Sequence, residues 1–242
     1  MECHERIFGG VLKKELMCGR FSFVTTIKKI EEDLDVSLES TENLVTSYNV
    51  APTQKAYVIT GDKPHLLQAF HWGLIPPWSK NPRLSGQLIN ARKETVLSKP
   101  SFRDAVRQKR CWVIVDSFYE WQQTAMGRQP YRIQRADGKT MCLAGIWETC
   151  TIDRQTIHTC SILTQNADEQ MNKIHHRMPL FLSQNEHRTQ WLENMQEDLL
   201  GDFLAQPHST QLRITPVSPS VNSVRNNGAH LHREYTPPPT LF

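Results

Sequence analysis

The sequence predicts a single α+β domain: a mixed, mainly antiparallel, β-barrel-like core with a few peripheral helices. Three observations predict it. Short segments rich in β-branched and aromatic residues recur between turn residues along most of the chain. Long amphipathic helices do not separate them, which argues against a doubly wound parallel sheet. At 242 residues, 38% hydrophobic and 22% charged, the chain is long enough to bury a core and ordinary for a globular protein.

Residues 1–16 carry neither hydrophobic periodicity nor turn signals and read as a leader, or a wrongly assigned start, outside the fold. Ile27–Asp33 is the first helix candidate. Ala56–Thr60 and Leu66–Trp72 are strands, followed by a helix over Ser101–Gln108 with Ser101 as N-cap and Asp104 three residues on. Cys111–Ser117, Met141–Trp147 and His158–Leu163 are further strands. Helices at Asp168–Ile174 and Ser183–Leu192 and a strand at Leu212–Thr215 complete the pattern. The domain is expected to span residues 17–230. Residues 231–242, with Pro237, Pro238 and Pro239, form an irregular tail.

Charge and cysteines narrow the classes. A net charge of +3 neither requires nor excludes a nucleic-acid partner. Lys99, Arg103, Arg107, Lys109 and Arg110 crowd one stretch, which reads equally well as a solvated basic face or a phosphate-binding one. No apolar run reaches membrane-spanning length and the N-terminus lacks an apolar h-region, so a cytoplasmic location is expected. The six cysteines (Cys3, Cys18, Cys111, Cys142, Cys150 and Cys160) include no C-x-x-C pair, so no metal site is expected. Cys111 and Cys142 sit in apolar runs and read as core. Cys18 stands apart, between Met17 and Gly19 at the head of the first folded-looking segment.

Four segments read as neither simple core nor simple turn: Met17-Cys18-Gly19-Arg20-Phe21, Leu88-Ile89-Asn90-Ala91-Arg92, Asp116-Ser117-Phe118-Tyr119-Glu120-Trp121 and Ile174-His175-His176-Arg177-Met178-Pro179. Each alone has a bland explanation. Together they resemble the SOS response-associated peptidase family, and the resemblance runs in order through Met17–Phe21, Tyr48-Asn49-Val50-Ala51-Pro52, Trp72-Gly73-Leu74-Ile75-Pro76, Asn90-Ala91-Arg92-Lys93-Glu94-Thr95, Phe118–Trp121, Ile174–Pro179 and Pro216-Val217-Ser218, almost the whole chain after Met17. Two departures stand out: sixteen residues precede Met17, and Ser79 follows Trp78 where some relatives carry a second tryptophan.

The resemblance implies a compact α+β domain that binds abasic sites in single-stranded DNA and shields them by a stable crosslink. Autoproteolysis and abasic-site lyase activity are also implied. Such a protein would act as a monomer, without a cofactor, and sit with the nucleoid when bound. By resemblance, the catalytic residues are Cys18, Asn90, Glu120 and His175; Arg20, Arg92 and Arg177 would hold phosphates and Trp78 would stack on a base. The chemistry suits an N-terminal cysteine. Its α-amine can condense with the sugar aldehyde, and its thiol can then close a five-membered thiazolidine on the same carbon. Glu120 and His175 would move the protons. That demands a free α-amine on Cys18, which translation from Met17 and loss of that methionine, or self-cleavage, would supply. Two rivals use the same residues: a thiol peptidase or amidohydrolase built on Cys18, His175 and Glu120, and a non-covalent reader of single-stranded or modified DNA that tolerates loss of Cys18.

Overall fold

The computed structural model describes residues 19–40, 43–79, 81–152 and 154–236. The first half comprises β1 (Arg20–Phe23), α1 (Ile27–Leu34), β2 (Glu39–Ser40), β3 (Ser47–Val50), β4 (Lys55–Thr60), β5 (Lys63–Trp72), β6 (Asn90–Arg92) and α2 (Arg103–Gln108). The second comprises β7 (Arg110–Val115), β8 (Ser117–Thr124), β9 (Gly127–Arg135), β10 (Met141–Ile152), β11 (Gln155–Asn166), β12 (Arg177–Pro179), α3 (Asn185–Leu192), α4 (Glu197–Ala205) and β13 (Leu212–Pro216).

Five strands close into a mixed barrel. β5, β4, β7, β10 and β11 pair antiparallel in that order, and a parallel contact of Thr159 and Cys160 with His71 and Trp72 joins β11 back to β5. Closure removes the exposed edges that an open sheet would present. Val58, Ile59, Val113, Ile114 and Ala144 are fully buried in this core. β11 outruns its partners, and its far end is flanked by two short strands, β6 in parallel and β12 antiparallel.

The second layer is an antiparallel sheet in the order β13–β9–β8–β1–β3. Its inner face carries Phe21, Phe23, Phe118 and Ile133 into the barrel's core, with the Phe21 ring 4.7 Å from that of Trp72. On its outer face Tyr119 packs with Val217, Val221 and Leu231 of the C-terminal segment. Asp116 alone links β7 in the barrel to β8 in the sheet. Its carboxylate accepts the backbone N–H groups of Val24 and Thr25, which pins the turn after β1 to this crossing point.

The α+β class and the mixed, barrel-like core are as expected, but several boundaries differ. α2 starts at Arg103, and Phe102, not Ser101, occupies the cap without a side-chain bond. Asp168–Ile174 yields only a 3-10 turn, Met171–Lys173, with the Asp168 carboxylate accepting the Met171 N–H at 2.8 Å. β1, β2, β3, β6, β8, β9, β12 and α4 are additions to the expected elements; β8 is buried on both faces at its start, so it shows no alternation. The packed chain also runs past residue 230: Leu231 is fully buried and Glu234 bridges to Val217. Residues 237–242 of the expected tail, like residues 1–18, lie outside the described residues.

Candidate active site

Strand alternation aims Glu120 inward. It shares a face of β8 with Phe118, and at 2% exposure its carboxyl is enclosed between sheet and barrel. His175 reaches it from the segment between the 3-10 turn and β12. The Nδ1 of His175 lies 3.4 Å from Oε1 of Glu120. β8 itself holds that segment, because the Gln122 amide donates to the Lys173 carbonyl at 2.8 Å. The His175 N–H donates to the Met171 carbonyl at 2.9 Å, and the His176 ring lies 4.4 Å away. The same Nδ1 also faces the Arg177 backbone, 3.1 Å from its N–H and 3.2 Å from its carbonyl. One nitrogen therefore meets a carboxylate, a carbonyl and a peptide donor, and its protonation decides which of them it bonds.

Asn90 and Arg92 are two apart on β6 and point to one face, while Ala91 between them is fully buried. β6 is anchored through Ile89, whose carbonyl accepts from both the Ile162 N–H and the Trp72 indole N–H at 3.0 Å. Arg92 is exposed, and Trp78 stands 65% exposed on the loop between β5 and β6. Ser79 turns inward and is buried, its hydroxyl accepting the Asn81 N–H at 3.1 Å, so it adds nothing to the aromatic surface. The loop begins at Gly73, where φ is +131° and an added Cβ would lie 2.2 Å from the Ser85 carbonyl oxygen.

Arg20 and Arg177, the other two expected phosphate ligands, both meet protein acceptors in this structure. Arg20 donates to Asn49 Oδ1 at 2.8 Å and to the carbonyls of Val221 and Asn222 at 2.9 and 3.1 Å, tying β1 to the C-terminal cover. The Arg177 side chain is 5% exposed and makes a bidentate pair with Glu94 at 2.7 and 2.9 Å. It also donates to Asn166 Oδ1 at 2.6 Å and the Thr164 carbonyl at 2.8 Å. Glu94, Asn166 and Asn49 escaped sequence reading, although Glu94 lies in the segment that carries Asn90 and Arg92. Within the basic stretch, Arg107 pairs with Glu197 at 2.6 Å, Lys109 with Glu148 at 2.5 Å, and buried Arg110 donates to backbone carbonyls such as that of Trp191 at 2.8 Å, while Lys99 and Arg103 are exposed.

Cys18 lies outside the described residues. Gly19, which follows it, lines a cleft of about 420 Å³ with Arg20, Pro52, Trp121, Arg128 and Asn222. Among the described residues no cluster could hold a metal ion, and no helix is long and apolar enough to cross a membrane.

The chain is thus a single α+β domain, a closed mixed barrel with an antiparallel sheet against it and a buried carboxylate–imidazole pair at their junction. The chain belongs to the SOS response associated peptidase (SRAP) family, whose model matches residues 17–224. It is 36% identical over 221 residues to the abasic site processing protein YoaM of Bacillus subtilis, covering 89% of this chain and 97% of that one. Over 226 residues it is 30% identical to the abasic site processing protein YedK of Escherichia coli, covering 89% and 98%. With the abasic site processing protein HMCES of Gallus gallus the identity is 30% over 214 residues, covering 75% of this chain and 64% of that one. The fold matches a crystal structure of a protein from Bacteroides thetaiotaomicron with a TM-score of 0.79 at 24% identity, covering 90% of this chain and 100% of the other.

Proposed function

We propose that this chain processes abasic sites by joining itself covalently to them in single-stranded DNA through Cys18, in a form whose chain begins at that residue. The observation that carries the reading is the buried contact between Glu120 and His175, on the strand that pairs with β1, the strand following Cys18 in the chain. The names of the relatives, abasic site processing proteins, point the same way.

The α-amine of Cys18 attacks the aldehyde carbon of the opened deoxyribose, and the carbinolamine loses water to give an imine. The thiolate adds to the imine carbon, the imine nitrogen takes a proton, and the thiazolidine ring is closed. Amine and thiol titrate near pH ~7.7–8.0 and ~8.5, so both nucleophiles are available near neutrality. The Glu120–His175 pair delivers and removes protons during ring opening and addition. Asn90 orients the opened sugar, Arg92 holds a flanking phosphate and Trp78 stacks on an unpaired base. Arg20 and Arg177 contribute by fixing the walls of the site.

The family's name favours a second reading, a thiol peptidase built on the same cysteine, histidine and glutamate. The test is a panel on an abasic oligonucleotide. Cys18→Ala should abolish the heat-stable adduct while leaving DNA affinity near wild type, and Glu120→Gln should slow its formation at saturating DNA. An undiminished adduct from Cys18→Ala would end the thiazolidine reading. Peptide hydrolysis without any adduct would favour the peptidase.

A further inference from the structure

We infer that Gln122, aimed by Tyr131, is a positioning residue that fixes the approach of His175 to Glu120. The inference rests on the acid–base role proposed above for that pair.

Residues 167–176 form the loop that carries His175 between β11 and β12. Its root is closed by the Ala167 N–H, which donates to the His176 carbonyl at 3.0 Å. Four bonds are internal to it. The Asp168 carboxylate and carbonyl accept the Met171 and Asn172 N–H groups, and the Met171 carbonyl accepts those of Ile174 and His175. Its far side is held by buried Met171 and by the Gln170 amide, which donates to the Leu212 carbonyl at 2.8 Å. These contacts give the loop its shape and its root. None of them spans the gap to β8, the strand of Glu120.

Gln122 spans it. Its Nε2 donates to the carbonyl of Lys173, two residues before His175, at 2.8 Å. Gln122 itself stands two residues after Glu120 on the same face of β8. The Gln122–Lys173 bond and the Glu120–His175 contact are thus successive rungs, in antiparallel register, between strand and loop. His175 lies between two fastened carbonyls, Lys173 on one side and His176 on the other. At 3.4 Å the Glu120–His175 contact is too long to be a strong tether, whereas the amide bond has an ordinary length.

Only one orientation of the amide serves. A backbone carbonyl accepts and never donates, so the NH2 group must face Lys173 and the amide oxygen must turn away. Tyr131 meets that oxygen, its hydroxyl donating at 3.0 Å. Tyr131 pairs directly with Glu120 across β8 and β9, which puts its ring on the same face, and it packs against the core. A ring fixed by packing thus aims the amide, and the amide fastens the loop.

The experiment compares wild type with four variants. Gln122→Met keeps the length of the side chain and loses both hydrogen bonds; Gln122→Lys still donates to the carbonyl; Tyr131→Phe is made alone and together with Gln122→Met. Folding is checked by thermal melting, adduct formation is timed at saturating abasic oligonucleotide, and DNA affinity is measured separately. The imidazole ¹⁵N shifts of His175 are recorded in free protein, with Glu120→Gln as the reference for a ring that has lost the carboxylate. Gln122→Met should slow the adduct roughly fivefold, the scale of one lost hydrogen bond, with affinity held within about twofold. It should also move the His175 shifts part of the way to their values in Glu120→Gln. Gln122→Lys should recover most of the rate. Tyr131→Phe should slow it about twofold, and the double variant should be no slower than Gln122→Met, because both act through one linkage. Wild-type His175 shifts or a wild-type rate in folded Gln122→Met overturn the inference. So does a Gln122→Lys protein as slow as Gln122→Met, or a loss confined to affinity, which would make Gln122 a DNA contact. Losses that multiply in the double variant overturn the part given to Tyr131. If Gln122→Met does not fold, Gln122→Ala is read by the same criteria. A wild-type protein that forms no adduct defeats the proposed function alone, because the His175 shifts still decide the positioning.

Discussion

Lowering the pH should loosen the C-terminal cover of the antiparallel sheet by way of His232. That residue ends the 3-10 turn Ala229–His232, with its ring 4.7 Å from Tyr48 and 6.4 Å from Tyr119. Burial, with a further push from the charge of Arg132, lowers its pKa from 6.5 to about 3. A base depressed in the folded state binds its proton in the unfolded chain first. Its contribution is therefore complete above pH 6.5 and is lost as pH falls towards 3. The slope is about 1.4 kcal/mol per pH unit, so going from pH 7 to pH 5 removes roughly 2 kcal/mol. His71 and His208 are also lowered by burial and act in the same direction, so the informative quantity is a difference between proteins. Urea unfolding of wild type and His232→Asn at pH 7 and pH 5 measures it. The variant should lose about 2 kcal/mol less than wild type over that interval. Equal losses would mean that His232 does not carry the pH dependence. The cover matters to the site because its Val221 and Asn222 carbonyls hold Arg20 beside the cleft that Gly19 lines.

Three other outcomes are expected. Gly73→Ala, with a Cβ 2.2 Å from the Ser85 carbonyl oxygen at φ +131°, should lower the melting temperature by more than a surface change would; an unchanged Tm would show that the Trp78 loop yields freely. Arg92→Ala should weaken single-stranded DNA binding and reduce the salt slope by about 0.7, while adduct formation at saturating DNA persists; an unaltered slope would remove Arg92 from the phosphate contacts. Burial raises the thiols of Cys111, Cys142 and Cys160, the last to about 12. Iodoacetamide at pH 8 should therefore spare all three in the folded protein, and mass spectrometry showing their early modification would contradict the packing.

The barrel was legible in the sequence because its strands are apolar on both faces and interrupted by turns, as at Val113–Ile114–Val115. The second sheet was not. β8 mixes Phe118, Glu120 and Gln122 on one face, since that face passes from core to site to solvent within a few residues. β9 likewise mixes exposed Arg128 with buried Pro130 and Gln134 on one face. The meeting of Glu120 and His175 followed from family resemblance, not from any local pattern, because β8 and the segment before β12 are joined only by tertiary packing. The arginines show the limit most clearly. Arg92 and Arg177 look alike as letters beside Asn90 and His175, yet one is exposed and the other is buried against Glu94. Only the register on β11 separates them.

The central claim is that Cys18 acts with a free α-amine and its thiol together, and it is tested by changing the amine alone. Three proteins are incubated with an abasic single-stranded oligonucleotide and resolved after heating in denaturant: one beginning at Cys18, the same protein acetylated on its α-amine, and one verified by intact mass to retain residues 1–17. The account predicts a heat-stable adduct from the first only, with the thiol intact in all three. Adduct formation by the acetylated or extended protein at the rate of the free form would contradict it.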